Sequence, residues 1–281
     1  MKKLVIQVVL FHGSQYLHAL LRSLERQTFT DFEVLFYENS VDETELARVR
    51  VHLANFTCHY RLDIGEKNLG FSAHNILYQK TVSPYVFVLN QDAYLADDCL
   101  EKMVQALDND KNIASATPLV MRWDEKPTDD IDSAGLEYLC LGMVSDLKRI
   151  TSNPVWGVSG AVALYRRSSI EHVRDDRNLF DPRFFMYKED VELAFRLHHA
   201  GFTSICVSET KAFHIRSIRE ERGFWARIKA ERKRPKHLRI TAYKNQWRIY
   251  RMHWNDISFK DKIMTIKYEF GRTLLFVLSI V

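Results

Sequence analysis

Three acidic side chains, Glu189, Asp190 and Glu192, follow directly on the run Phe184-Phe185-Met186-Tyr187. A carboxylate held against a bulky apolar wall is partly desolvated and can work as a general base. The same residues open an apparent helix over 191–199 that ends at Gly201. Acids at a helix start complement its dipole, so a structural use of the cluster stands beside the chemical one. Two further places offer chemistry. Asn90-Gln91-Asp92 presents amide and carboxylate oxygens after one apolar run, and His214 follows the last such run. An imidazole suits a transition-metal or magnesium-like site, although a lone histidine is more often structural or solvated.

These residues need elements to carry them. Strands are expected over 4–11, 32–37, 58–62, 85–89, 113–121, 162–165 and 203–207, with helices over 16–27, 44–54, 73–80, 98–108 and 168–174. Strand–helix alternation of this kind predicts an α/β fold built on an open, Rossmann-like, mostly parallel sheet flanked by helices. Such sheets bind ligands beyond the carboxyl ends of their strands. The residues expected there are Phe11 and His12, Glu38 and Asn39, and Asn90 to Asp92. No G-x-G-x-x-G follows the first strand and no G-x-x-x-x-G-K-[ST] occurs, which excludes the dinucleotide and Walker modes. Amides and carboxylates can still hold a nucleoside. They can hold its diphosphate only with a cation between, because carboxylate and phosphate repel, and that points to a divalent metal on oxygen ligands. Residues 122–153 are polar and turn-rich and read as a long loop or hairpin region. Gly157 and Gly160 permit either a turn or a close backbone approach.

The chain of 281 residues fits one large α/β domain, or a catalytic domain with an appendage. Its net charge of +4 is unevenly placed: residues 216–251 hold thirteen Lys and Arg against three Glu, a net +10, on an acidic body. Within that segment Ile240, Tyr243, Trp247, Tyr250 and Trp254 recur at helical spacing. The stripe is expected to face the catalytic body. The second use of the segment is peripheral contact with an anionic membrane surface. Nucleic acid is not expected. Cys58, Cys99, Cys140 and Cys206 lack metal spacing and read as reduced thiols in a cytoplasmic protein. The N-terminal run reads as a buried strand rather than a signal peptide, and no stretch is long enough for a membrane span.

The motifs, taken in order, resemble those of the family 2 glycosyltransferases, inverting enzymes of the GT-A fold, and most of all their rhamnosyltransferase-type members. The resemblance covers roughly residues 4–250. Val8-Val9-Leu10-Phe11-His12 is similar to the opening strand and donor turn, and Leu21-Arg22-Ser23-Leu24 with Gln27 to the following helix. Glu38-Asn39-Ser40-Val41-Asp42-Glu43-Thr44 is similar to the family's DN-S-D-T element, and Asn68-Leu69-Gly70-Phe71-Ser72 with Asn75 to its N-GF…N. Leu89-Asn90-Gln91-Asp92 resembles the D-x-D site. Ser159-Gly160-Ala161 and Tyr165-Arg166-Arg167 resemble S-G-A…R-R. Phe180 to Leu193 resembles the family's acceptor-side stretch nearly throughout, and Tyr243-Lys244-Asn245 a C-terminal segment more loosely. Glu38 stands where Asp is usual, Asn90 replaces the first Asp of D-x-D, and His12 stands where Asn or Arg is common.

The resemblance implies a sugar transferase. Asp190 would be the general base. Asp92 and His214 would hold Mg²⁺ or Mn²⁺. Phe11, His12, Glu38, Asn39, Asn68, Asn90, Gln91 and Asp92 would line the donor side, and Trp156, Gly160, Tyr187 and Glu189 the acceptor side. The donor would be a dTDP- or UDP-sugar, rhamnose first, and the acceptor a glycan or lipid-linked saccharide of the bacterial cell surface. The catalytic domain would span 1–215, with a donor half near 1–121 and an acceptor half near 154–215. A basic helical extension would span 216–281, placing the protein in the cytoplasm or on the inner face of the membrane. The competing readings are a non-catalytic sugar-nucleotide or glycan-binding module, and a nucleotidyltransferase.

Overall fold

The structure, a computed structural model, describes residues 2–124, 126–140, 143–174, 176–215, 232 and 235–280. Strands β1 (Leu4–Leu10), β2 (Phe32–Glu38), β3 (Tyr60–Ile64) and β4 (Tyr85–Leu89) alternate with helices α1 (Ser14–Glu25), α2 (Glu43–Leu53) and α3 (Ala73–Gln79). Short β5 (Ala93–Leu95) and helix α4 (Cys99–Asn109) lead into β6 (Ile113–Asp124). Two hairpin partners follow, β7 (Lys126–Ser133) on β6, and β8 (Leu136–Cys140) with β9 (Met143–Asp146). The remainder is β10 (Val162–Arg166), α5 (Arg167–His172), α6 (Glu189–His199), β11 (Thr203–His214), α7 (Lys236–His253) and α8 (Phe259–Ile280).

Among the described residues the main sheet runs β3-β2-β1-β4-β10-β6-β11-β5, with β7 on β6. The first four strands are parallel, as the alternation predicts. The expectation of a mostly parallel sheet stops at β10, which runs antiparallel to both β4 and β6, while β11 returns parallel to β6. The central strands are buried on both faces, which their unbroken apolar runs require. Leu4, Ile6 and Val8 of β1 enter the core beneath α1 and α4, and Val5 enters the core shared with α3 and α6. Gln7, the one polar break in β1, is fully buried with its side-chain amide 3.2 Å from Nδ1 of His74.

Of the two forms expected for residues 122–153, a long loop or hairpins, the chain takes the hairpins, β6 with β7 and β8 with β9. Two expectations are corrected. The last strand does not end at Val207; after an irregularity between Val207 and Lys211 it continues to His214. The aromatic stripe turns toward α8 instead of the body. Tyr243 stacks on Phe276 at 4.0 Å and the Tyr250 hydroxyl donates to Glu269 at 2.8 Å, while Trp247 stays 44% exposed. A neighbouring face of α7 meets the body, with Ile249 buried among Phe184, Val191 and Phe195, and His253 stacked on Phe195 at 4.2 Å. Periodicity identifies a buried face but not its partner. Cys99 and Cys206 are buried free thiols and Cys58 is half-buried. Residues 216–231, with five of the thirteen Lys and Arg of the basic segment and all three of its Glu, lie outside the described residues.

Candidate functional site

The loops expected on the donor side are tied together by amides. Gln91 grips the end of β1, accepting from the Phe11 N–H and donating to the Phe11 carbonyl, both at 2.9 Å. Gly13 leaves room for this, because a Cβ there would fall 2.2 Å from the Gln91 amide. His12 adopts a left-handed conformation, φ 43°, and its N–H donates to Ser40 Oγ at 2.8 Å. Asn39 is buried. It donates to Asn68 Oδ1 at 2.9 Å and accepts from the Leu69 N–H at 2.8 Å. Asn68 Oδ1 also accepts from the Gly70 N–H at 2.8 Å. Gln91 and Asn39, expected to touch the donor, thus have their side-chain amides committed to fixing loops, and Asn68 Oδ1 is committed likewise. Phe11, 41% exposed, and His12 remain at the surface of the turn. Glu38 is buried with Oε1 accepting from the Ser40 N–H at 2.7 Å and Oε2 without a partner. Burial pushes its carboxyl above the usual range.

Asp92 and His214 are brought together by the pairing of β5 with the end of β11. The Ile215 N–H donates to the Asp92 carbonyl at 3.0 Å, and His214 Nε2 lies 3.5 Å from Asp92 Oδ1. On its other side His214 Nδ1 meets Asp132 of β7 at 2.9 Å. Burial alone would lower the imidazole pKa, but the two carboxylates outweigh it and raise it to about 9. The ring is therefore an imidazolium bridging two acids. A cation between Asp92 and Nε2 would take the place of one proton, with Asp132 still fixing the ring through Nδ1, the pattern by which outer carboxylates orient metal-binding histidines. Among the described residues no three side chains converge as a metal cage. The pair of one carboxylate and one imidazole would fit Mg²⁺ or Mn²⁺, ions that take one or two protein ligands and complete their shells with phosphate oxygens and water. Sequence reasoning missed Asp132. It sits in a run with Asp129 and Asp130, and only the β6–β7 pairing singles it out.

Asp190 lies in the first turn of α6, which follows two consecutive left-handed residues, Tyr187 (φ 71°) and Lys188 (φ 73°). Its Oδ2 accepts from the Gly160 N–H at 3.0 Å and Oδ1 from the Val191 N–H at 2.8 Å. Burial raises its pKa from the ordinary 3.8, assisted by the charge of Asp146 and opposed by those two N–H groups and by Lys188. Desolvation outweighs the N–H groups of the helix start. Lys188 is half-buried, desolvation lowers its pKa, and it donates to the Val144 carbonyl at 3.1 Å. Glu189 is buried, with Oε2 unpartnered and its pKa well above the carboxylate range through burial and the adjacent Asp190 charge. Glu192 pairs with Arg196 at 2.7 Å. Trp156 packs edge-on against Phe195 at 4.7 Å and lies 5.8 Å from the Tyr138 ring, so it walls the α6 side with the β8–β9 hairpin.

The two halves are wired together. The Asn90 N–H donates to the Ala161 carbonyl at 2.9 Å, and the preceding residue, Gly160, holds Asp190. A continuous path therefore runs from Phe11 through Gln91, Asn90, Ala161 and Gly160 to Asp190. Phe71 closes the other side. Its N–H donates to the Phe185 carbonyl at 2.7 Å, and its ring would lie 3.0 Å from a Cβ on Gly160. Gly70, at φ +59°, passes so near that a Cβ would fall 2.1 Å from the Phe185 carbonyl oxygen. Gly70→Ala is expected to destabilise the protein by roughly 2 kcal/mol, through left-handed strain and displacement of the Phe185 loop. A urea melt checks this, and an unchanged midpoint would rule the contact out as a constraint. Asn245 of α7, missed as a site residue, donates to the Met186 and Tyr187 carbonyls, each at 2.9 Å.

Residues 6–174 match the model of glycosyl transferase family 2. Over 64 residues, 23% of this chain and 20% of the relative, the sequence is 41% identical to N-acetylglucosaminyl-diphospho-decaprenol L-rhamnosyltransferase of Mycobacterium tuberculosis, strains CDC 1551 / Oshkosh and ATCC 25618 / H37Rv. The aligned stretch thus spans about a fifth of the curated relatives. Among solved structures, GalNAc-T7 crystallised with UDP, GalNAc and Mn²⁺ superposes at a TM-score of 0.68 and 15% identity, over 91% of this chain and 50% of that one. Residues 1–349 of S. aureus TarS with UDP superpose at 0.57 and 16% identity, over 82% of this chain and 63% of that one. At such identities these structures speak for the fold.

Proposed function

Because the chain belongs to glycosyl transferase family 2, we propose that it inverts the anomeric centre of a nucleoside-diphosphate sugar while moving that sugar to an acceptor hydroxyl. The observation that carries this reading is the hydrogen-bonded path linking the donor turn at Phe11 to Asp190, with Asp92 and His214 beside it. The acceptor hydroxyl gives its proton to Asp190 as its oxygen attacks the anomeric carbon. The bond from that carbon to the diphosphate oxygen breaks on the opposite face, and the nucleoside diphosphate departs with the electron pair. A carboxylate whose pKa is raised by burial is a stronger base than one in water, and the Gly160 and Val191 N–H groups keep it aimed. Asp92 and His214 would hold Mg²⁺ or Mn²⁺, which when bound supplies positive charge against the diphosphate. Phe11, His12 and Glu38 would border the nucleoside, and Trp156, Tyr187 and the Gly160 turn the acceptor.

The matched rhamnosyltransferase supports L-rhamnose as sugar and a lipid-diphosphate saccharide as acceptor, and the UDP-bound neighbours keep UDP-sugars as the next donor class. Cell-surface polysaccharide synthesis on the inner membrane face is the setting in which such an acceptor would be met. Incubation with dTDP-rhamnose or UDP-sugars, Mn²⁺ and a polyprenyl-diphosphate saccharide is expected to release free nucleoside diphosphate. The product should carry the inverted anomeric configuration by NMR. Donor binding without transfer to any acceptor, or pyrophosphate release from a nucleoside triphosphate, would sink the proposal.

A further inference from the structure

We propose that the exposed face of α8 docks on an anionic lipid bilayer. Phe259, Ile263, Ile266, Phe270, Leu274 and Val277 are all exposed, at spacings of four, three, four, four and three residues. Those spacings place them on one stripe of the helix. Phe259 and Phe270 are each 79% exposed, an unusual position for large aromatic rings in a soluble surface. The stripe is not the face that meets α7. That contact uses Phe276 and Thr273 against Tyr243, and Glu269 against Tyr250. So α8 is fixed through one side and offers a second, apolar side to the outside.

Charge selects the occupant. Exposed Lys260 and Lys267 lie on the same helix, and α7 carries five Lys or Arg with no Asp or Glu. A second copy of the chain would bring the same positive charge against itself, whereas anionic headgroups neutralise it. Among the described residues no helix is long and apolar enough to cross a membrane, so the stripe suits a helix lying along the interface with its rings below the headgroups. The inference uses none of the residue roles proposed for sugar transfer and can fail or hold without them.

The full chain is tested by co-sedimentation with phosphatidylcholine vesicles, with and without phosphatidylglycerol, alongside sedimentation velocity in the absence of lipid. Binding to the anionic vesicles is expected, weakening with salt and on neutral vesicles. Phe259→Ser with Phe270→Ser should weaken it at least about tenfold, since the variant no longer buries two aromatic rings in the bilayer. Ile263→Ser with Ile266→Ser serves as an independent second variant, and both pairs sit on exposed positions. The proposal is overturned by absent vesicle binding or by binding that both variants retain. It is also overturned by a dimer that the same substitutions dissociate, which would give the face to a second copy.

Discussion

Asp190→Asn is expected to remain folded and to lose about 10²–10⁴-fold in turnover, the usual worth of a positioned general base. Asparagine keeps one oxygen for the Gly160 or Val191 N–H but cannot take a proton. Wild-type turnover should fall as pH drops through the Asp190 pKa, which burial holds above 3.8, and the residual rate of the variant should lack that acid limb. Stability should move the other way. A carboxyl with a raised folded-state pKa contributes stability that is present below its unfolded pKa and lost as pH rises through the folded one. The charged form at neutral pH therefore weakens the fold, and the variant should gain stability relative to wild type as pH increases. Chemical denaturation at several pH values reads that trend. Full turnover in Asp190→Asn on the true acceptor would remove the residue from its proposed role.

Asp132→Ala should weaken Mn²⁺ binding by about 10–100-fold, the typical cost of losing a carboxylate behind a metal-binding histidine. Asp132 does not face the proposed cation. It acts by holding His214 Nδ1 at 2.9 Å, which leaves Nε2 directed at Asp92. Free Mn²⁺ measured by electron paramagnetic resonance gives the affinity without any sugar donor, so the result is independent of turnover. Equal affinities in the variant and wild type would show that His214 is not held for a metal. A parallel loss in Asp92→Ala would place the cation where the two side chains meet.

The parallel half of the sheet and the Asp190 helix start were readable because their signals are local. β1 and β4 are unbroken apolar runs, and α6 follows an aromatic stretch with three acids in its first turn. The features that were not readable depend on distant partners. β10 has the same composition whether it runs parallel or antiparallel. β11 crosses its irregularity only because β6 lies alongside to re-register it. Asn39 and Gln91 have residue types that suit ligands and loops equally, and only the positions of Leu69 and Phe11 show how their amides are spent. Asp132 acquires significance from His214, 82 residues away.

Asn245 crosses from α7 to accept a share in the shape of the loop before α6. Two successive left-handed residues without glycine are costly, on the order of 1–3 kcal/mol each, and need an outside hold to persist. A border drawn at residue 215 therefore parts the loop before α6 from the side chain that holds it. The C-terminal helices are not an interchangeable attachment. Exchanging them for those of a relative would replace the donor that holds the Met186 and Tyr187 carbonyls, so recombination between such proteins is constrained to breakpoints that keep Asn245 with Met186 and Tyr187.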